Sequence, residues 1–137
     1  MTQIHETVTI AADPARVWAV AGDPGAIAQW LPALASSDVE GEERSCTTVD
    51  GADLKERIVE RNDAERYYVY EITEAPMPLA SYRSKLAVEG HDGHSHVTWT
   101  ADFEPESEAS SAELEQTFTQ IYRDGLDSLR ARVEASS

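Results

Sequence analysis

The sequence predicts an α+β fold in which a curved antiparallel sheet of about seven strands wraps a long C-terminal helix. Three observations lead to this prediction. Apolar and polar residues alternate along residues 4–10, and then repeatedly between about residue 38 and residue 103, as in half-buried strands. Two short helical patterns separate these parts of the chain. Beyond residue 110 the apolar residues recur at spacings of three, four and seven, which is typical of a helix.

The first part of the chain contains one predicted strand, residues 4–10, and two short helices. Asp13 and Pro14 favour the start of a helix, because aspartate suits an N-cap and proline suits the first helical turn. Gly22 ends this helix. A second short helix is predicted over residues 23–30.

The middle of the chain consists of strands that we expect to pair mostly with their neighbours in sequence. They are predicted around residue 39 and over residues 45–49, 54–61, 66–73, 82–89 and 95–103. The two prolines in the segment Ala75–Leu79 lack the backbone N–H that a central strand needs. This segment is therefore predicted to be a loop.

One amphipathic helix of about 25 residues is predicted at the C-terminal end. Its apolar stripe comprises Leu114, Phe118, Ile121, Tyr122, Gly125, Leu126, Leu129 and Val133. Gly125 costs a helix about 1 kcal/mol relative to alanine, so we expect it to border a close neighbour or a cavity. A curved sheet around this helix encloses an apolar cavity wherever side chains leave space between them.

Composition and charge exclude several classes of function. The 137 residues include 26 Asp and Glu against 11 Lys and Arg, which gives a net charge of −15. Because this charge repels phosphates and no basic patch is present, we predict no nucleic-acid partner. The single Cys46 excludes an internal disulfide and a cysteine-based metal site. With no long apolar run and no leader pattern, we expect one domain over residues 1–137, no membrane insertion and a cytoplasmic location.

Short motifs spread over residues 4–133 resemble those of one family. They are Asp13-Pro14-Ala15-Arg16-Val17-Trp18, Trp30-Leu31-Pro32, Asp50-Gly51, Glu56-Arg57, Tyr82-Arg83-Ser84, Trp99, Phe103-x-Pro105 and Tyr122-x-x-Gly125-Leu126. In this order they resemble the polyketide cyclase/dehydrase-like branch of the SRPBCC superfamily, which also contains START lipid-transfer domains, birch-pollen-allergen proteins and plant abscisic-acid receptors. The resemblance implies a helix-grip fold with an internal cavity. It does not separate binders from cyclases, because the family contains both.

The resemblance also implies two loops at the mouth of the cavity. Asp50–Asp53 corresponds to the gate of the hormone receptors, and Glu74–Ser81 corresponds to their latch. The receptors' own gate and latch motifs are absent, and Ala35 stands where they place a lysine that holds the hormone carboxylate. The resemblance therefore does not favour a plant-hormone role or an anionic ligand held in that way.

The resemblance and the strand alternation together predict a set of ligand-binding residues. The resemblance places around the cavity Tyr70, Ile72, Met77, Leu79, Tyr82, Ser84, Phe118, Tyr122 and Leu126. Alternation adds Leu54, Glu56, Ile58, Tyr68 and Trp99, which share inward strand faces. Such a lining suits a flat or aromatic ligand with a few oxygens. The same pattern is also expected of an ordinary filled core.

The inward face of the strand at 95–103 has two interpretations. Alternation turns Trp99 and Phe103 inward, whereas a strict alignment to the hormone receptors turns Thr98 and Thr100 inward. We favour alternation, because a slip of one residue exposes an entire apolar face.

The sequence offers weak catalytic candidates in Glu56, Tyr70 and Tyr82. A buried carboxylate at Glu56 has a raised pKa and serves as a general base or a polar anchor. The alternative for Glu56 is a structural ion pair with an arginine such as Arg57, Arg83 or Arg123.

The histidines His91, His94 and His96 have the residue type of metal ligands, and Asp92 lies among them. The same segment is also typical of the tip of a hairpin, where polar residues are usual. The spacing of the histidines does not match that of a structural metal site. We therefore predict no metal and no cofactor.

The leading hypothesis is that the protein binds or carries a small hydrophobic or aromatic molecule in an internal cavity. The alternative is an enzyme of the polyketide cyclase/aromatase type, in which cavity Tyr or Glu side chains act as acid or base. A third interpretation is a structural module with a filled core. We expect a monomer or a weak homodimer, since an unpaired edge strand is the one feature that favours pairing.

Overall fold

A computed structural model describes residues 2–135, and it contains one seven-stranded antiparallel sheet. The strands are β1 (Thr2–Ile10), β2 (Leu34–Glu40), β3 (Glu43–Thr48), β4 (Asp53–Asn62), β5 (Tyr67–Glu74), β6 (Leu79–His91) and β7 (His94–Pro105). Their order across the sheet is β1-β7-β6-β5-β4-β3-β2. Every strand pairs with a neighbour in sequence except β1, which pairs with β7. The chain therefore crosses from one edge of the sheet to the other between β1 and β2.

Helices make this crossing and close the fold. The crossing consists of α1 (Pro14–Ala21) and a 3-10 helix (Pro24–Gln29). A 3-10 turn (Glu108–Ser110) leads into α2 (Ser111–Ala135), which is 25 residues long and packs against β1 and β7. The predicted α+β helix-grip fold is confirmed, with its two short helices and its long C-terminal helix.

One strand begins earlier than the alternation predicts. β2 starts at Leu34 rather than near residue 38, because Leu34 is buried and pairs with Thr48 of β3. A register shift between Leu34 and Ser36 interrupts the period of two, and this irregularity hides the start of the strand from a pattern search.

The register of β7 confirms the alternation argument. Trp99 lies opposite Leu86 of β6, and Phe103 lies opposite Tyr82. All four side chains are buried, whereas Thr98 is only half-buried. The aromatic face of β7 thus points toward α2, and the threonine face points away from it.

The buried face of α2 is the predicted apolar stripe, and Gly125 is its closest approach to the rest of the fold. A methyl group built on Gly125 meets Leu31 Cδ1 at 2.5 Å and Trp99 Cζ3 at 3.1 Å. Real side chains do not tolerate the first of these distances. The expectation of a close neighbour is therefore confirmed: glycine at this position lets α2 lie directly on Leu31 and Trp99.

We predict that Gly125→Val lowers the free energy of unfolding by about 1–3 kcal/mol, because the added side chain overpacks this contact. Urea unfolding followed by tryptophan fluorescence measures the change. The matched control is Ala131→Val, an exposed position on the same helix, which costs only the difference in helix propensity, about 0.6 kcal/mol. Equal losses in the two variants would contradict the close-contact explanation.

Candidate functional site

An internal cavity lies between α2 and the concave face of the sheet, and we call it the inner cavity. Its volume is about 60 Å³. It is lined by Ile27, Leu31, Ala33, Leu34, Thr48, Leu54, Glu56, Tyr70, Ile72, Met77, Tyr82, Trp99, Phe118, Ile121 and Tyr122. Most of these side chains are aliphatic or aromatic, so the wall is apolar with a few polar groups.

The structure brings together much of the predicted lining. The predicted residues that line the inner cavity are Leu54, Glu56, Tyr70, Ile72, Met77, Tyr82, Trp99, Phe118 and Tyr122. They come from β4, β5, β6, β7 and α2, which meet at the concave face because the sheet curls around the helix, and, for Met77, from the loop between β5 and β6. Their role in binding a ligand stays a prediction.

Sequence reasoning missed six residues of the cavity wall. The missed residues are Ile27, Leu31, Ala33, Leu34, Thr48 and Ile121. Three of them, Ile27, Leu31 and Ala33, lie in the 3-10 helix and the turn that follows it. Gly125 is a sequence signal of this contact, because a Cβ atom built at this position would lie closest to Leu31.

Five predicted lining residues lie elsewhere in the structure: Ile58, Tyr68, Leu79, Ser84 and Leu126. Ile58 and Leu79 are half-buried and pack against the hydrophobic core outside the inner cavity. Tyr68 is fully buried beside Arg44, and its hydroxyl accepts a hydrogen bond from that guanidinium. Ser84 lies behind the cavity wall, and Leu126 lies in the filled core, one helical turn beyond Tyr122.

A network of hydroxyls stands on one side of the inner cavity, and we call it the phenol network. Tyr122 is its centre: its hydroxyl contacts the hydroxyls of Tyr82, of Ser84 at 2.9 Å and of Tyr70 at 3.5 Å. Trp99 Nε1 donates to Ser84 Oγ at 3.1 Å and to Tyr70 Oη at 3.2 Å. The Trp99 and Tyr122 rings stack, with centroids 3.9 Å apart and planes inclined by 6°.

The phenols of this network are neutral at physiological pH. Burial raises the pKa values of Tyr70, Tyr82 and Tyr122 well above their ordinary value. A neighbouring phenol adds to the rise in pKa of each one, because two phenolates close together repel each other. These side chains therefore serve as hydrogen-bonding groups and not as bases.

A buried ion pair between Arg44 and Glu56 lies on another side of the cavity. Arg44 Nε donates to Glu56 Oε1 at 2.6 Å, and Arg44 Nη1 donates to Pro24 O at 3.1 Å and Tyr68 Oη at 3.0 Å. The guanidinium also lies over the Tyr70 ring, 4.6 Å from its centroid. Arg44 is fully buried and Glu56 is 5% exposed.

The ion pair corrects the predicted partners of Glu56. We expected Arg57, Arg83 or Arg123, but these arginines pair at the surface with Glu42, Glu71 and Glu6 respectively. Arg44 is the partner because it lies directly opposite Glu56 in the β3–β4 register. Burial alone lowers the pKa of Arg44, but the neighbouring Tyr68 and Glu56 outweigh this and raise it, so the guanidinium stays charged.

Cys46 lies beside the same carboxylate, with its Sγ 3.7 Å from Glu56 Oε1. Burial, together with the charge of Glu56, raises the pKa of the thiol from its ordinary value of 9.0 to about 12. The thiol is therefore protonated at neutral pH and is not a nucleophile.

The histidine-rich segment forms the β6–β7 hairpin, where His91 and His94 lie opposite each other. Both are exposed, and His96 Nδ1 lies 3.2 Å from Thr9 Oγ1. Within residues 2–135 no three His, Cys, Asp or Glu side chains are grouped as metal ligands.

No helix in the described part of the chain has the length and the apolar character that crossing a bilayer requires.

A family model described as polyketide cyclase / dehydrase and lipid transport matches residues 1–134, nearly the whole chain. The chain belongs to this family. No protein of curated function matches the sequence at a significant level.

Solved structures agree with this assignment. The XoxI protein of Bacillus cereus is 34% identical to this chain, with a TM-score of 0.92 over 97% of this chain and 96% of XoxI. The Zhui aromatase/cyclase of a Streptomyces strain is 17% identical, with a TM-score of 0.86 over 97% and 93% of the two chains. A START superfamily protein of Mycobacterium smegmatis is 10% identical, with a TM-score of 0.84 over 98% and 99%. At these lower identities the likeness concerns the fold alone.

We predict that Arg44→Leu lowers the free energy of unfolding by about 3–5 kcal/mol, because it leaves the Glu56 carboxylate buried without its partner. Chemical denaturation measures the loss. The double variant Arg44→Leu/Glu56→Leu removes both charges, and we expect it to recover most of the stability. A double variant as unstable as the single one would contradict a burial penalty as the cause.

We predict that stability falls as pH rises from about 9 to about 12, because the unfolded chain loses the Cys46 proton in this range while the folded chain retains it. Below pH 9 both states hold the proton, so this contribution is constant. Urea unfolding at a series of alkaline pH values measures the slope, and Cys46→Ala is expected to make it shallower. Rapid labelling of the native thiol by a maleimide at neutral pH would contradict its burial.

Proposed function

We propose that this protein binds a small hydrophobic or aromatic molecule between α2 and the sheet, and that the molecule enters by displacing Ile72 and Met77. The single observation that carries this proposal is that these two side chains line both the inner cavity and a second, open depression. We call this depression the outer groove. It has a volume of about 410 Å³ and lies along the segment 72–81, beside Asp53 and Glu106.

The volumes explain why a displacement is needed. The inner cavity, at about 60 Å³, has room for a few water molecules but not for a small organic ligand. Pockets for small organic ligands span roughly 300–1,000 Å³. When Ile72 and Met77 move aside, the inner cavity and the outer groove become one space of that order.

Met77 is suited to move. Methionine is unbranched and flexible, and Met77 is half-buried. It stands between Pro76 and Pro78 in the loop that joins β5 and β6. Two backbone hydrogen bonds hold the end of this loop, from Leu79 N to Met77 O and from Glu106 N to Pro78 O, both at 2.8 Å. The loop thus has a fixed C-terminal end next to a flexible side chain.

The two loops that the resemblance assigns to the cavity mouth both border this entrance. Residues 74–77 and 79–81 of the predicted latch line the outer groove, and so does Asp53 of the predicted gate. Apolar burial supplies the driving force, at about 2.5 kcal/mol for each 100 Å² of ligand surface removed from water.

The chemistry of the wall favours binding over the cyclase alternative. Aldol closure needs a base, yet the Tyr70 and Tyr82 phenols have raised pKa values and Glu56 is held by Arg44. The same groups orient a ligand without reacting with it. The cytoplasmic location, the absence of a nucleic-acid partner and the monomeric or weakly dimeric state stay predictions; gel filtration tests the last of them.

We predict that the neutral dye N-phenyl-1-naphthylamine binds with one-to-one saturation, and that Ala33→Leu weakens binding at least about tenfold by filling the inner cavity. The rise in dye emission measures the affinity. Met77→Ala is expected to strengthen binding, because it widens the connection to the outer groove.

The matched control is Ala35→Leu, which places the same side chain two residues away at an exposed position outside the cavity wall. Its affinity for the dye should equal that of the unmodified protein. No saturable binding, or equal affinities of the Ala33→Leu and Ala35→Leu variants, would overturn the proposed site.

A further inference from the structure

The phenol network has a fixed hydrogen-bond direction, which follows from counting its protons. Each hydroxyl donates one hydrogen bond and accepts two. Ser84 Oγ lies 2.8 Å from the backbone oxygen of Thr100, and a carbonyl oxygen only accepts. The single proton of Ser84 is therefore committed to Thr100, so Ser84 accepts in all its other contacts.

The direction then propagates from Ser84 to the rest of the network. Because Ser84 accepts, Tyr122 must donate its proton to Ser84. Tyr122 has no second proton, so it accepts from Tyr82 and from Tyr70. The protons of all three phenols thus point inward along one path that ends at the Thr100 carbonyl.

Unfilled acceptor positions remain at the start of this path. Trp99 Nε1 donates to Ser84 and shares its proton with Tyr70. Within residues 2–135 no donor reaches the Tyr82 oxygen, whose own proton goes to Tyr122. Tyr82 and Tyr70 both line the inner cavity. The network therefore has lone pairs to offer there and no free O–H.

We propose that the cavity selects a ligand that donates a hydrogen bond, such as a hydroxyl or N–H group on an aromatic frame, to the Tyr82 oxygen. The inference rests on the proposed binding function and adds that the ligand, not the protein, donates the hydrogen bond between them. A ketone or ether oxygen at the same place faces the lone pairs of the Tyr82 oxygen and finds no donor. Such a ligand binds more weakly, because its buried acceptor loses its hydrogen bonds to water.

Most of the other polar groups near the cavity also offer a ligand no hydrogen-bond donor. Glu56 contributes carboxylate oxygens, which also accept. The buried donors without a partner among the described residues, Trp30 Nε1 and Arg44 Nη2, belong to residues outside the cavity wall. Thr48, next to the predicted gate, is the exception among the described residues of the wall: its oxygen accepts from Ala52 N, and its own proton can still be donated.

Ser84 sets the direction although it does not line the cavity. In a Ser84→Ala variant the Tyr122 proton loses its acceptor and turns to Tyr82. The Tyr82 proton is then free to point toward the ligand. The same phenol becomes a donor, and the preference for a donating ligand is lost.

The test compares 2-naphthol with 2-methoxynaphthalene, which has the same ring system but no proton to donate. We expect the unmodified protein to bind 2-naphthol about tenfold more tightly, as measured by calorimetry. In Ser84→Ala this ratio should fall to about twofold or less. The control Ser95→Ala removes a similar buried bond, from Ser95 Oγ to Ala12 O, outside the phenol network, and should keep the ratio.

The outcomes separate the two proposals. Equal binding of both compounds to the unmodified protein overturns the inferred polarity and leaves the binding function intact. Binding of neither compound overturns both. A tenfold ratio that Ser84→Ala does not change overturns the role of Ser84. The first comparison requires no variant, so poor folding of Ser84→Ala does not remove the test.

Discussion

The close approach of α2 to the turn after the 3-10 helix, at Gly125, is the constraint on which the site depends. Leu31 and Trp99 occupy the space that a side chain at 125 would need, and both also line the inner cavity. The distance between helix and sheet at this point thus fixes the depth of the cavity. It also places the Tyr122 ring on Trp99, and Tyr122 carries the hydroxyl at the centre of the phenol network.

Two buried polar clusters border an otherwise apolar space, and each compensates for burial differently. Arg44 and Glu56 compensate through opposite charges that face each other across β3 and β4. The phenol network compensates without charge, by passing each proton to the next oxygen until a backbone carbonyl receives it. Both solutions leave rigid, preorganised groups, which is what a site needs to orient a weakly polar ligand.

The sequence predicts the fold well because its periodicities are simple. The alternation in the strands and the apolar stripe on α2 show which faces are buried. These two patterns are enough to predict the strands, α2 and the inward direction of Trp99. The motif resemblance and the faces together also supply much of the cavity wall. Ile58 and Leu79 pack against the core, as alternation predicts, but alternation does not tell which part of the core is hollow, and neither residue lines the inner cavity.

Contacts between side chains of different strands are harder to predict than which face of a strand is buried. The pairing of Arg44 with Glu56 depends on the exact register between β3 and β4. The sequence of either strand alone does not contain this register. Leu31 and Ala33 on the cavity wall depend on how the crossing between β1 and β2 folds back under the sheet. The direction of the phenol network depends on one contact between Ser84 and Thr100, which only coordinates reveal.

The pairing of β1 with β7 also has a consequence for biosynthesis. Thr2 lies opposite Phe103, so β1 has its partner only after β2 to β6 and then β7 have been translated. Closing so long a loop is entropically costly, and pairing of this kind is slow. The nascent protein therefore carries β1 with unpaired backbone groups until β7, the last strand of the sheet, emerges, and this is the interval in which a chaperone has most to protect.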